Sequence, residues 1–379
     1  MRTFAALFVA VAVLASGFGT ANALQLAGPG PGPRLTVVAD GLNNPRGLTL
    51  SPWNTLFVAE SGRGGTDFCF VTEGPEGGET CFGQTGSVAE VTLSGGLVRR
   101  VADRLPSAAA PDGSEGGGPS DVAFDEHGRL LVSMGLGAGA TERAEVAAGL
   151  PYAARFGTVL IRKDPMRGGF RVLGDPAAFE ETDPDGAGPD SNPNSLVSEA
   201  GRVVVADAGG NSLVRVHSDG RVEAIATFPT QMQPNPFGPG QIPAQAVPTS
   251  VVRGPDNRYY VGQLTGFPFA PGSANVYRVD PGTGAMDAYA TGFTNIMDLA
   301  FGPDGSLYVL ELSTGGLLSD TLGALWRLAP GGGDKGDAEL LMDGLFFPGG
   351  LYVSQGGRIF MTVNSILTGA GQVVELTGV

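Results

Sequence analysis

A four-residue turn flanked on both sides by a short apolar run occurs six times in this chain. The clearest copy is Asp298 to Leu312, DLAFGPDGSLYVLEL. Leu299–Phe301 and Leu307–Leu310 are short and rich in aliphatic and aromatic residues, which suits β-strands. Between them Pro303 presets φ, Asp304 suits a turn and Gly305 accepts positive φ, so the two runs close as a hairpin. The other turns are Ser51–Asn54, Asp125–Gly128, Ser198–Gly201, Gly254–Asn257 and Ser354–Gly357, with Gly302–Gly305 completing the six. Every one ends in Gly or Asn, the residues that tolerate left-handed φ. A proline stands ahead of most first strands, at Pro45, Pro119, Pro193, Pro248 and Pro348, with Ile296 in its place once. Proline fits the beginning of a strand.

Each hairpin is followed by a third strand, beginning at Gly86, Gly157, Ser212, Asn275, Ala324 and Gln372. A fourth follows the first five, at Leu97–Leu105, Phe170–Gly174, Arg221–Phe228, Ala285–Phe293 and Ala338–Leu345. The sixth repeat has no room for one before Val379. A surplus strand lies at the other end: Leu35–Leu42, LTVVADGL, resembles ELLMDGL at 339–345. The surplus and the deficit are complementary. The expected fold is therefore all-β, a six-bladed β-propeller of four-stranded antiparallel blades over residues 35–379, its last blade closed by the N-terminal strand.

The content of 62 glycines and 28 prolines fits a chain with many turns, and the hydrophobic fraction of 42% opposes disorder. Net charge is −15 with no Lys/Arg cluster, a poor footprint for nucleic acid or an anionic membrane. At the N-terminus Arg2, the apolar run Phe4–Leu14 and the small-residue site Ala21-Asn22-Ala23 read as a signal peptide over 1–23. That run is too short to span a bilayer. Residues 24–34 form a Pro/Gly-rich leader. The reading is a secreted or periplasmic protein with no membrane span after cleavage. Two cysteines, Cys69 and Cys81, close together in an exported chain, favour a disulfide. The short loop it closes implies stabilisation on the order of 3 kcal/mol in the chain-entropy picture.

Insertions are unevenly placed. The hairpin after the first strand is always four residues, and the connection after the third is mostly short. Long insertions follow strand two or strand four: Gly62–Thr85, Gly135–Phe156, Asp175–Asn192, Pro229–Val247, Leu264–Ser273 and Leu312–Leu322. In a propeller those two connections emerge on one face. That face is the expected binding face.

The phrases GLNNPRGLTLSPWNTLFVAESG, VVVADAGGNSLVRV, AVPTSVVRGPDNRYYVGQLTGFPFAPGSANVYRVDPGTG and GFTNIMDLAFGPDGSLYVLE resemble the ScyD/ScyE family of secreted bacterial proteins. Its most distinctive parts here are QLTGFPF at 263–269, the Cys69/Cys81 insertion and DSNPNSL at 190–196. The resemblance implies an NHL-like six-bladed propeller and export, and no catalytic mechanism.

Histidine is nearly absent. His127 and His217 fall in turns of the smooth face, which leaves Ser-His-Asp, Cys-His and His-ligated metal chemistry without a base or ligand on the loop-bearing face. Carboxylates remain. Glu60, Asp207 and Glu311 share one position near the end of the second strand, with Gln263 there in a fourth blade; Asp121 and Asp298 sit near the start of the first strand. Together with Asn194 these acids form a candidate Ca²⁺ or Mg²⁺ set, against the alternative that they accept backbone hydrogen bonds and tie blades together. Propellers similar to the gluconolactonase/SMP-30 family bind a metal through acid and asparagine side chains at the starts of first strands. The matching positions here are Arg46, Ser120, Asn194 and Thr249, of which only Asn194 suits a metal. A quinone-dependent sugar dehydrogenase would want a histidine base. The loop Gln263–Ala270 with Phe237 puts aromatics on the same face. The expected function is non-enzymatic binding of a small molecule or protein partner, with Asp207, Gln263, Glu311, Phe267 and Phe269 as the ligand-binding set and no obligatory cofactor. The alternative is a divalent-metal-dependent lactone or ester hydrolase.

Overall fold

The computed structural model describes residues 32–71, 78–93, 95–164, 168–319 and 322–379. The signal peptide expected at 1–23 and leader residues 24–31 lie outside them. The repeats fold as anticipated, into a ring of six four-stranded antiparallel blades. The innermost strands are Pro45–Leu50, Pro119–Phe124, Pro193–Glu199, Pro248–Arg253, Ile296–Phe301 and Gly350–Val353. Each neighbours the next, and the last returns to the first.

The last blade is completed across the chain ends. Arg34–Leu42 pairs antiparallel with Gly371–Thr377, in a register that sets Leu35 opposite Leu376 and Val37 opposite Val374. Pairing covers the N–H and C=O groups on the outer side of Gly371–Thr377 and makes Arg34–Leu42 the outer strand of the blade. All six hairpins end on a residue at positive φ, from 64° at Asn257 to 81° at Gly305. Five close with an N–H···O=C bond from the fourth residue to the first; in the third blade Glu199 pairs directly with Arg202.

The core is six layers, one between each pair of neighbouring blades. Between blades 5 and 6, Leu310, Leu325 and Leu345 meet Leu351, Met361 and Val374. Between blades 6 and 1, Phe360 and Val373 meet Leu42, Val58 and Val91. The second strands, such as Leu56–Glu60 and Leu307–Glu311, are buried on both faces, so they read as unbroken apolar runs. Each fully buried Leu or Val contributes roughly 1.5–3 kcal/mol relative to exposure.

The loop-bearing face carries the helices Ala140–Gly149 and Pro176–Glu180, the 3₁₀ turn Pro151–Arg155 and the hairpin Gln231–Pro234/Gln241–Ala244. Cys69 and Cys81 lie opposite each other on paired strands there and form a disulfide. Blade 5 departs from the pattern after its third strand. Its connection at 329–338 climbs the outer rim, and Gly333–Asp334 adds a short parallel strand to blade 4. Among the described residues no helix is long and apolar enough to cross a membrane.

Candidate functional site

The inner strands hold a ring of latches around the central channel. One position recurs as Asp121, Ser195, Ser250 and Asp298 in blades 2 to 5, and each side chain accepts a backbone N–H from the next blade. Leu196 N donates to Asp121 Oδ2 at 2.9 Å, Val251 N to Ser195 Oγ at 3.3 Å, Leu299 N to Ser250 Oγ at 3.0 Å and Leu351 N to Asp298 Oδ2 at 2.7 Å. In blades 6 and 1 the position is Gly350 and Gly47. A Cβ on Gly47 would lie 2.1 Å from Asp121 Oδ1, so the glycine makes room for that carboxylate. Burial, with repulsion from Asp298, pushes the Asp121 carboxyl up to about 7; burial alone pushes Asp298 up to about 6, against its hydrogen bonds.

The acids at the ends of the second strands form a second set of ties. Glu60 accepts from Asn43 N at 2.9 Å, Ser87 Oγ at 2.7 Å and a bidentate Arg100. Asp207 accepts from Asn192 N and Ser191 Oγ, both at 2.6 Å, and from Gly210 N at 3.2 Å. Glu311 accepts from Thr294 N at 2.7 Å, Trp326 Nε1 at 2.8 Å and Lys335 Nζ at 2.7 Å. Burial raises the carboxyl pKa of both Asp207 and Glu311, and these donors oppose the rise. Gln263 Oε1 accepts from Gln231 Nε2 at 3.1 Å and Asn275 N at 3.3 Å. All four side chains are fully buried. Each fastens the segment entering its own blade, or the strand beside it.

Above the latches, at the channel mouth on the loop-bearing face, opens a pocket of about 110 Å³. Its lining is biased by blade, with apolar Ala208 on the side of blades 1 to 3 and polar Ser365 on the other as the exceptions. Blades 1 to 3 and their loops supply Arg46, Ser61, Glu115, Ser120, Asn192 and Asn194; blades 4 to 6 supply Val247, Leu264, Met297, Leu312, Phe347 and Ile366, with Thr249 at the junction. The apolar half belongs to one buried cluster that also takes in Leu317 and Phe269. Val247 and Phe347 stand at φ 49° and 40°. The same position is left-handed at Asn44 (φ 48°) and Asn295 (φ 43°), so the conformation belongs to the entry of the inner strand, and it costs a β-branched or bulky residue on the order of 1–3 kcal/mol.

Arg46 is the cationic group of the polar half, which also holds the Glu115 carboxyl. Its Nη2 donates to Gly116 O at 2.9 Å and its Nε to Ser61 Oγ at 3.4 Å. Burial pulls its pKa down to about 10, with Glu115 opposing, so it stays cationic at neutral pH. Among the described residues no carboxylate lies within ion-pair distance of it. Nη1 carries no hydrogen bond among them. The Glu115 carboxyl is raised, first by burial and then by Asp112. Asn194 donates Nδ2 to Thr249 O at 2.6 Å, which leaves Oδ1 uncommitted among the described residues.

The expected site residues therefore separate. Asn194 lines the pocket; Glu60, Asp121, Asp207, Asp298 and Glu311 do not, and the six do not converge on one point, since each acid is held by N–H and O–H donors of its own blade junction. Gln263, Phe267 and Phe269 are also outside the lining. Phe267 stacks on Phe237 with centroids 5.9 Å apart, and Phe269 packs behind the apolar wall. His127 is exposed beside Glu126, and His217 bonds Glu223 at 3.0 Å, both remote from the pocket. Sequence reasoning passed over Arg46 because a guanidinium cannot ligate a metal. Its place directly after Pro45 in the repeat was the available signal. Glu115 and Asn192 come from loops whose fold the repeat does not determine.

No protein-family model and no curated protein matches the chain. Solved structures do match in fold. A streptogramin B lyase is 11% identical with a TM-score of 0.50, covering 91% of this chain and 97% of its own. A gluconolactonase from Xanthomonas campestris is 12% identical at 0.52, covering 91% and 90%. The soluble aldose sugar dehydrogenase from Escherichia coli is 13% identical at 0.51, covering 92% and 100%. At these identities the likeness concerns the propeller fold alone.

Proposed function

We propose that this chain is an exported, non-enzymatic propeller that binds a small amphiphilic anion at its channel mouth. The observation that carries the reading is the bipartite pocket: a half-buried, cationic Arg46 with spare donor capacity faces an apolar wall of Leu264, Met297, Leu312 and Phe347. A guanidinium suits a planar carboxylate, and an apolar wall suits a hydrocarbon or ring body. The same residue supports binding over metal-assisted lactone or ester hydrolysis. Arg46 puts a fixed positive charge at one of the positions where a lactonase-like propeller carries a metal ligand. The signal-like segment at 1–23 and the Cys69–Cys81 disulfide support export to an oxidising compartment. Membership of the ScyD/ScyE family belongs to the same reading and rests on the quoted phrases.

The test is calorimetric titration of the chain from residue 24 with a panel of aliphatic and aromatic carboxylates. At least one is expected to bind with one site per chain. Ser120→Trp, which fills the mouth, abolishes that binding, and His127→Ala leaves it unchanged. Failure of the whole panel, or binding that survives Ser120→Trp, overturns the proposal.

A further inference from the structure

The connection from blade 2 to blade 3 carries a second feature, separate from the pocket. Residues 180–192 read ETDPDGAGPDSN after Glu180 and place five acids, Glu180, Glu181, Asp183, Asp185 and Asp190, within eleven positions; Glu181 is turned to Thr141. The loop folds back on itself, with Gly188 N donating to Asp183 Oδ1 at 2.9 Å and Ala187 N to Asp185 Oδ1 at 3.0 Å. Carboxylate oxygens of Glu180, Asp183 and Asp185 gather within 4.8 Å of one another.

Acidic clusters on surfaces are common, and this one differs in its buried member. Glu180 is 1% exposed, and neither of its carboxylate oxygens has a hydrogen-bond partner. Asp190 Oδ1 is likewise buried without one. The wall facing them is Gly209-Gly210. A Cβ on Gly210 would lie 2.4 Å from Glu180 Oε2, and one on Gly209 would lie 2.9 Å from Asp190 Oδ1. Among the described residues no lysine or arginine forms an ion pair with any of the five. The nearby Arg143 is committed to Asp175 through two bonds of 2.8 Å. An unpaired buried carboxylate is strongly disfavoured, and its two remedies are a proton or a cation.

We infer that Glu180, Asp183 and Asp185 hold a calcium ion, with Asp190 behind them against the Gly209 wall. The donor set is entirely carboxylate oxygen, which selects a hard cation over zinc or copper. Calcium accepts six to eight oxygens in irregular arrangement, and the mixed set of one helical and two loop carboxylates is irregular; magnesium requires near-octahedral geometry. None of these acids lines the pocket, so the ion is structural. It fixes the loop that continues into Ser191 and Asn192, which Asp207 fastens at the pocket wall. This site is independent of what the pocket binds.

The experiment uses the chain from residue 24, stripped with chelator, and calcium chloride as the only added ligand. Calorimetry is expected to show one saturable site per chain, and the melting temperature to rise by a few degrees at about a hundredfold excess over the dissociation constant. Glu180→Gln keeps the side chain's shape and replaces the carboxyl with a neutral amide that cannot serve as an anionic ligand. In chelator it should melt at or above the wild type, and it should lose both the calcium heat and the shift. Asp183→Asn, in the loop itself, gives a second reading, with affinity reduced at least tenfold. A wild-type chain indifferent to millimolar calcium, or a Glu180→Gln chain that responds as the wild type does, overturns the assignment.

Discussion

Replacing Asp121 by Asn should flatten the dependence of stability on pH. In the folded chain the Asp121 carboxyl titrates near 7, against an ordinary value of 3.8, because it is surrounded by protein and faces Asp298. The folded state therefore binds its proton more tightly than the unfolded state does. The stabilisation from that proton is complete below about pH 4 and is lost as pH rises through about 7. Between pH 5 and pH 8 the loss runs at about 1.4 kcal/mol per unit up to the folded pKa, roughly 2–3 kcal/mol before screening by channel water. Asn keeps the shape and one acceptor, so at pH 5 the variant forfeits one of the bonds from Val122 N and Leu196 N, about 1 kcal/mol. At pH 8 the relief of charge offsets that loss. Urea unfolding at the two pH values measures it. Glu180, Asp190 and Asp298 titrate in the same direction in both proteins, so the quantity read is the difference between the two slopes. Equal slopes for wild type and Asp121→Asn would refute the reasoning.

Deleting residues 24–42 should uncover the Gly371–Thr377 edge and the layers around Leu376 and Val373, and lower the melting temperature sharply; a truncated chain that melts like the intact one would contradict blade closure. Glu311→Ala strands Lys335, Trp326 Nε1 and Thr294 N–H together, and should cost on the order of 3–5 kcal/mol in chemical denaturation.

The fold was legible because it is repeated. Six hairpins ending in Gly or Asn, and a surplus strand matched to a missing one, leave few arrangements, and the pairing of Leu35 with Leu376 follows from counting. The choice of face was legible too, because insertion length is visible in the sequence and the pocket opens among those insertions. Its lining was not. Acids such as Glu60 and Asp207 recur at one repeat position because each blade junction needs an acceptor, and recurrence alone does not distinguish a tie from a ligand. Arg46 has the opposite signature, a charge at a repeat position that holds Ser120, Asn194 and Thr249 elsewhere. Glu115 and Asn192 reach the pocket through irregular loops, whose paths depend on contacts far apart in the chain, such as Glu115 N to Ile366 O. The calcium-type loop was overlooked because DPDGAGPD reads as turn chemistry until Glu180 is seen buried beneath it.

The central claim is that Arg46 recognises the anionic end of an amphiphile, and a thermodynamic cycle tests it most directly. Affinities are measured for one bound carboxylate and its methyl ester, on the wild type and on Arg46→Met. A charge-assisted hydrogen bond is worth about 1.5–3 kcal/mol. The wild type should therefore prefer the acid by roughly ten- to a hundredfold, and Arg46→Met should bind acid and ester alike. A wild type that does not discriminate, or a preference that survives in Arg46→Met, would contradict the account.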